Sequence, residues 1–305
     1  MPSIGPISRI TAWVVLLAAA SFAQTAAPAF SRPEPGELIR RVVDNEVKAS
    51  KDDSARFKFR GTKTTPRGST TKIYIETKVA TAGIVVAYNG NPLTPEQRRA
   101  EEARIERFIK NPDELEKKRR QKQQDADRTL RIVRAIPDAF LFEYAGEQPG
   151  SLGVGKPGDP LLVLKFRPDP RYEPPSRIEQ VLTGMQGIVL VDAARNRLAT
   201  IDGTLFKDVG FGWGILGHLD KGGRFLVQQQ DIGDNYWAIS RMNLDFTGKI
   251  LLVKSLAIST TDVFSDFKPV PLDLTFGQAV EMLKKEEPVV AEKATAGDVG
   301  KTTSH

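Results

Sequence analysis

The sequence predicts a mainly β (α+β) protein, a curved antiparallel sheet or incomplete β-barrel covered by helices. Three observations carry this. Thr183–Phe267 is a chain of short apolar runs separated by Asp, Gly, Asn and Lys clusters, with no helical period. Arg56–Thr64 and Thr70–Val79 alternate apolar and polar residues about the turn Pro66-Arg67-Gly68. Stripes at helical spacing lie before, between and after these blocks.

The chain has 305 residues, 40% hydrophobic and 27% charged, an ordinary globular composition able to bury a sizeable core. Met1–Ile10 carries one charge, Arg9, and precedes the short apolar run Thr11–Ala20 and the small-residue pattern Ser21-Phe22-Ala23. This has the form of a signal peptide cleaved after Ala23 and predicts an exported, periplasmic protein. There is no Cys, which excludes a lipid anchor, disulfides and thiolate chemistry. Residues 24–36 read as a flexible leader, 37–287 as one half-barrel domain and 288–305 as a disordered tail.

Within the domain, Leu38, Ile39, Val42, Val43 and Val47 make an apolar stripe on a first helix, Glu37–Lys48. Two alternating strands follow, then the more buried Gly83–Tyr88. Residues 94–136 form a charged helical excursion. Thr94 with Gln97 is a capping box, Pro95 opens the helix, and Asn111-Pro112 starts a second one that Pro137 ends. Glu96–Arg134 holds 13 Lys/Arg against 9 Asp/Glu, much of the chain's net +6. It reads either as a solvated excursion or as a basic surface for an anionic membrane or ligand. Nucleic acid is not an expected partner, since no reader motif is present.

Ala139–Tyr144 and Leu161–Phe166 read as strands, and Arg167–Pro175 as a Pro-rich connector leading to a helical turn at Ser176–Leu182. The later block adds a hairpin turning at Asp192–Arg197, a glycine-rich bend at 210–217 and the strand that Tyr236 opens, with roughly nine to eleven strands in all. In that last strand, alternation places Tyr236, Ala238, Met242, Leu244 and Phe246 on one face and Trp237, Arg241, Asn243 and Asp245 on the other. Lys268–Leu272 breaks the sheet, and Thr275 caps a final helix to about Glu286.

Catalytic and metal motifs are few. Gly153-Val154-Gly155-Lys156-Pro157-Gly158 spells a dinucleotide fingerprint, but Pro157 and Pro160 forbid the helix that it needs, so it is a loop. His305 ends the chain, and His218 is the one other His. Neither a metal site nor a cofactor is expected. A hydrolase using His218 is the remaining enzymatic reading. Ile250, Leu252, Leu256 and Ile258 on one face, with Leu251, Val253 and Ala257 on the other, require a sheet covered on both sides or lining a cavity, so a packed core and an acyl-chain cavity both stay open.

The layout resembles the periplasmic outer-membrane lipoprotein-sorting (lipoprotein carrier) family. The likeness rests on the helix Glu37–Lys48 before the strand Arg56–Thr64, the run Gly187–Asp192 with Arg197–Ile201, and Tyr236–Arg241. It implies a non-catalytic module that binds an acyl chain or lipoprotein, or, as in envelope-stress sensors of the same fold, another envelope protein. On this reading Phe57, Phe59, Ile73, Ile75, Met242, Leu244 and Phe246 line the interior, and Arg56, Arg60 and Arg241 are candidates for the arginine that the family's carriers place in the cavity.

Overall fold

Thirteen strands join one antiparallel sheet in the computed structural model, which describes residues 32–211, 217–250 and 254–286. The leader up to residue 31, the tail and most of the 210–217 bend lie outside the described residues, as do Leu251–Val253; the last two leader residues, Pro35 and Gly36, already belong to the first helix. The chain enters as α1 (Pro35–Ala49), then forms β1 (Arg56–Thr65), β2 (Gly68–Glu76), β3 (Thr81–Tyr88) and the two-residue β4 (Asn91–Pro92). Two helices follow, α2 (Pro95–Lys110) and α3 (Pro112–Ala139), then β5 (Phe140–Pro149) and β6 (Pro160–Pro168). The turn α4 (Arg177–Gln180) runs into a 3₁₀ turn, Val181–Gly184. The remainder is β7 (Met185–Asp192), β8 (Arg197–Leu205), β9 (Val209–Phe211), β10 (Gly217–Leu219), β11 (Arg224–Asp231), β12 (Trp237–Ile250), β13 (Lys254–Val270) and α5 (Phe276–Lys284).

The strand order is β4-β3-β2-β1-β13-β12-β11-β8-β7-β6-β5, with β9 and β10 set beside β12. The sheet is open: the last long strand, β13, inserts beside the first, β1, and the path does not close into a barrel. This is the mainly β class expected, with more strands than expected because β4, β9 and β10 are only two or three residues long.

A helix length shows the curvature. Lys122 in α3 donates to Thr81 Oγ1 at the start of β3 at 2.7 Å, and α3 runs directly into β5. The helical rise from Lys122 to Phe140 is about 27 Å. Laid flat, the nine spacings between β3 and β5 would take about 43 Å. The sheet therefore curls, and α3 spans its mouth. Pro137 lies inside α3 and does not end it; the helix runs on to Ala139, losing the one i→i−4 bond that proline cannot donate. Nor does Lys268–Leu272 break the sheet at its start, since Lys268, Pro269 and Val270 still pair with Lys58, Phe57 and Arg56 at the end of β13.

The two faces have separate cores. On the face that α1 covers, here the inner face, Leu38, Ile39, Val42 and Val43 pack on Phe140, Phe142, Leu162, Leu164, Phe166, Val189 and Val191. On the outer face, Ala279, Val280 and Leu283 of α5 and Ile105 of α2 pack on Ile73, Ile75, Ile84 and Val86. α2 also shields the β3 edge, a feature that would otherwise template aggregation. The buried Glu101 accepts from Val85 N at 2.7 Å, and Arg104 donates to Gly83 O at 2.8 Å while pairing with Glu101 at 2.6 Å. Glu101→Ala strands the Val85 N–H and should cost about 2 kcal/mol in urea unfolding; an unchanged midpoint would show that water replaces the carboxylate freely.

Candidate functional site

α1 covers the inner face only in part. Its C-terminal end and the segment to Ala55 stand beside a groove of about 600 Å³, within the size range of ligand sites, roughly 300–1,000 Å³. The floor is aromatic. Phe57 and Phe59 alternate on β1, so both face inward. On β13, Asp266 takes a positive φ of 58° at an irregularity in the β1 pairing, and the extra residue lets Phe264 and Phe267, three apart, face the same groove.

Phe59 is the hub of the floor. Its ring stacks on Tyr74 at 5.1 Å and on Phe267 at 5.4 Å, and meets Phe264 edge-on at 6.1 Å. Phe57 meets Tyr236 edge-on at 5.6 Å. Gly61 makes this cluster possible, because a Cβ there would fall 2.9 Å from the Tyr74 ring and 3.1 Å from Phe264. Phe57, Phe59, Phe264 and Phe267 all stay partly exposed.

The wall at the α1 end is polar. Glu46 and Arg197 form a nearly buried bidentate pair at 2.8 and 3.2 Å. Glu46 also accepts from Leu198 N at 3.0 Å and Gln229 Nε2 at 3.4 Å, and the Arg197 guanidinium lies 5.3 Å from the Trp237 ring. Trp237 Nε1 is buried without a hydrogen-bond partner among the described residues. Ser54 Oγ bonds Tyr236 Oη at 2.8 Å, closing the rim. Ser54 also donates to Asp52, which holds the Asp52 carboxyl below its usual range.

Seven residues were expected to line the interior, and they divide. Phe57 and Phe59 line the groove. Ile73 and Ile75 do not: they sit opposite Arg60 and Lys58 across the β1–β2 ladder and lie in the outer core under α5. Met242, Leu244 and Phe246 share the inner face but lie outside the groove lining; Phe246 is buried with Leu205 and Val209, and Leu244 packs against that cluster. The three expected arginines are elsewhere. Arg56 is buried, donating to Asp53 at 2.5 Å and to Leu272 O. Arg60 pairs with Asp266 at 2.7 Å, and Arg241 bonds Asn243 at 3.2 Å on the exposed side. The groove's arginine is Arg197, whose partner Glu46 is 151 residues away in sequence and so gave no local signal.

The face assignment of β12 is also corrected. A register shift at Gln228/Gln229 turns Trp237 and Ile239 to the groove side, together with Tyr236 and Ala238. His218 Nε2 lies 3.1 Å from Asp220, whose other oxygen accepts from Thr247 at 2.7 Å. The carboxylate thus stands between imidazole and hydroxyl, whereas a nucleophile-activating imidazole must itself be the middle member. Among the described residues no metal-ligand cluster occurs, and no helix is long and apolar enough to cross a membrane.

No family model and no curated protein matches the chain. Among solved structures, it is similar to an outer membrane lipoprotein-sorting protein domain from Vibrio parahaemolyticus. The two are 10% identical with a TM-score of 0.29, over 82% of this chain and 100% of that domain. A likeness at that level carries no argument about function, which rests on the groove.

Proposed function

We propose that the groove binds an apolar chain, the acyl chain of a lipid or lipoprotein, without catalysis, in an exported envelope protein. One observation carries the reading: a cluster of four Phe side chains stays partly exposed on the inner face while helices cover the sheet on either side of it. Exposed aromatic area of this kind is costly in water and marks a binding surface. The polar rim, with Ser54 and Tyr236 hydroxyls joined at its edge, orients the ligand's wet end. The leader sequence supports export, and an envelope location supplies acyl chains.

The test is lipid extraction and mass spectrometry of protein purified from an envelope fraction, followed by titration with a dansyl-labelled fatty acid. Bound acyl species are expected. Phe59→Ala should weaken the dansyl probe by roughly tenfold or more, as expected for a central aromatic anchor, and should cost about 1–2 kcal/mol of stability through its lost contacts with Tyr74, Phe264 and Phe267. Lipid-free protein that also ignores the probe would sink the proposal.

A further inference from the structure

A second site lies where α2, α3 and β2 meet. Lys72 faces inward from β2, directly across the ladders from Gly61 of β1 and Val85 of β3. Lys118 of α3 sets its ammonium 3.9 Å from the centre of the Phe108 ring, and the Arg104 guanidinium lies 5.9 Å from the same ring. Lys72 is paired across the ladder with Val85, whose N–H is held by Glu101, the partner of Arg104, so Lys72, Arg104 and Lys118 converge from three elements, with Arg107 beside them.

Their carboxylates do not balance them. Glu101 is committed to Arg104 and to the Val85 N–H, and Glu114 stands near Lys118 without pairing with it. Lys72 and Lys118 have no ion pair among the described residues. Burial first, and then the Arg104 charge, pulls the Lys72 ammonium below its usual range; burial and Arg104, then Lys72 and Arg107, do the same to Lys118. Elsewhere on α3, Arg119 pairs with Glu116 and Arg128 with Asp125, while Arg131 and Arg134 are exposed and have no ion pair among the described residues. Lys118 differs from those two in standing over the Phe108 ring beside the Arg104 guanidinium. Arg104 donates to Gly83 O, and Gly83 pairs across the ladder with Tyr74, which stacks on Phe59, so the cluster adjoins the aromatic floor. The opposite end of the groove is lined by Glu46, Asp52, Glu76 and Asp234, against the one cation Arg197 among the described lining residues.

We propose that Lys72, Lys118 and Arg104, with Arg107 at the rim, bind a phosphate group, either a phospholipid headgroup or free phosphate. Several donors arriving from separate elements suit a tetrahedral, multiply charged anion better than a two-oxygen carboxylate. The site stands on its own charges, so it can hold even if the acyl reading fails.

The test has two arms at low ionic strength. Co-sedimentation uses vesicles of 70:30 phosphatidylcholine to phosphatidylglycerol against vesicles of phosphatidylcholine alone, and calorimetry uses inorganic phosphate. The comparison pairs are K72Q/K118Q and R131Q/R134Q, which remove equal charge. We expect K72Q/K118Q to weaken anionic-vesicle binding on the order of tenfold or more, and R131Q/R134Q to change it less than about twofold. The single variant K118Q, at an exposed position, should fall between. The urea midpoint of K72Q/K118Q should match or exceed that of the wild type, since two repelling cations are gone. Phosphate binding without vesicle preference assigns the site to free phosphate and supports the proposal. Equal losses in both pairs, or no binding of either probe by the wild type, overturn it.

Discussion

Glu46→Ala is expected to lower the unfolding free energy by about 3 kcal/mol, because breaking a buried ion pair strands the surviving charge. Glu46 and Arg197 expose only 15% and 9% of their side chains. Without the carboxylate, Arg197 keeps the Trp237 ring face but loses both oxygens, and the Leu198 N–H and the Gln229 amide lose an acceptor with it. Four donors on β8 and β11 converge on one α1 side chain, so the substitution also loosens the joint between the helix and the sheet beside the groove. Urea titration monitored by tryptophan fluorescence reads both effects. A double variant, Glu46→Ala with Arg197→Ala, should recover part of the loss, since no unpaired charge remains. A single variant that falls by less than about 1 kcal/mol would mean that the pair is solvated in solution and its net worth is that of a surface bridge.

Leu38→Ala is the second large effect, also about 3 kcal/mol, in the range for truncating a fully buried leucine. Leu38 is 0% exposed and belongs to the stripe through which α1 contacts the inner core. Polar contacts add little at this end of α1, since the Arg40–Asp138 pair is exposed; Leu38 and its neighbour Ile39 carry the docking. Undocking the helix should uncover Val189, Leu164 and Phe166 and raise the binding of a hydrophobic dye even while the protein stays folded. Phe59→Ala is expected to do the reverse, lowering probe affinity with the smaller loss of stability. The two signatures separate a residue that builds the floor of the groove from one that holds the scaffold. If Leu38→Ala leaves both the urea midpoint and dye binding unchanged, α1 is not docked as described.

How far each feature could be read in advance depends on the range of the interaction behind it. The capping boxes Thr94/Gln97 and Thr275/Gln278 form as expected because cap and partner are three residues apart. The alternation of Phe57 and Phe59 was legible for the same reason. The grouping of Phe57 and Phe59 with Ile73 and Ile75 was not, because the β1–β2 register, Lys58 opposite Ile75 and Arg60 opposite Ile73, sends the isoleucines to the other face. Alternation reveals that a strand has two faces but not which face meets which on the neighbouring strand.

Bulges set a second limit. The shift at Gln228/Gln229 rotates Trp237 and Ile239 toward the groove, and the positive φ of Asp266 aligns Phe264 with Phe267. Strict alternation puts Trp237 and Ile239 on the face away from Met242, and puts Phe264 and Phe267 on opposite faces. The turn Thr77–Ala80, closed by the Thr77 hydroxyl on Ala80 O, likewise stops β2 at Glu76 and leaves Val79 exposed.

The sequence by itself determined the period of each segment, the helix starts, the mainly β class and the absence of thiol chemistry, since each follows from residues within a few positions of one another. The tertiary structure alone decided that β13 pairs with β1, that Glu46 meets Arg197, and that four phenylalanines from two distant strands share one floor. These depend on ladder register and side-chain packing between segments far apart in sequence, such as Arg60 and Asp266, 206 residues apart. Such pairings are selected by the total burial of the whole sheet, and no local pattern carries them.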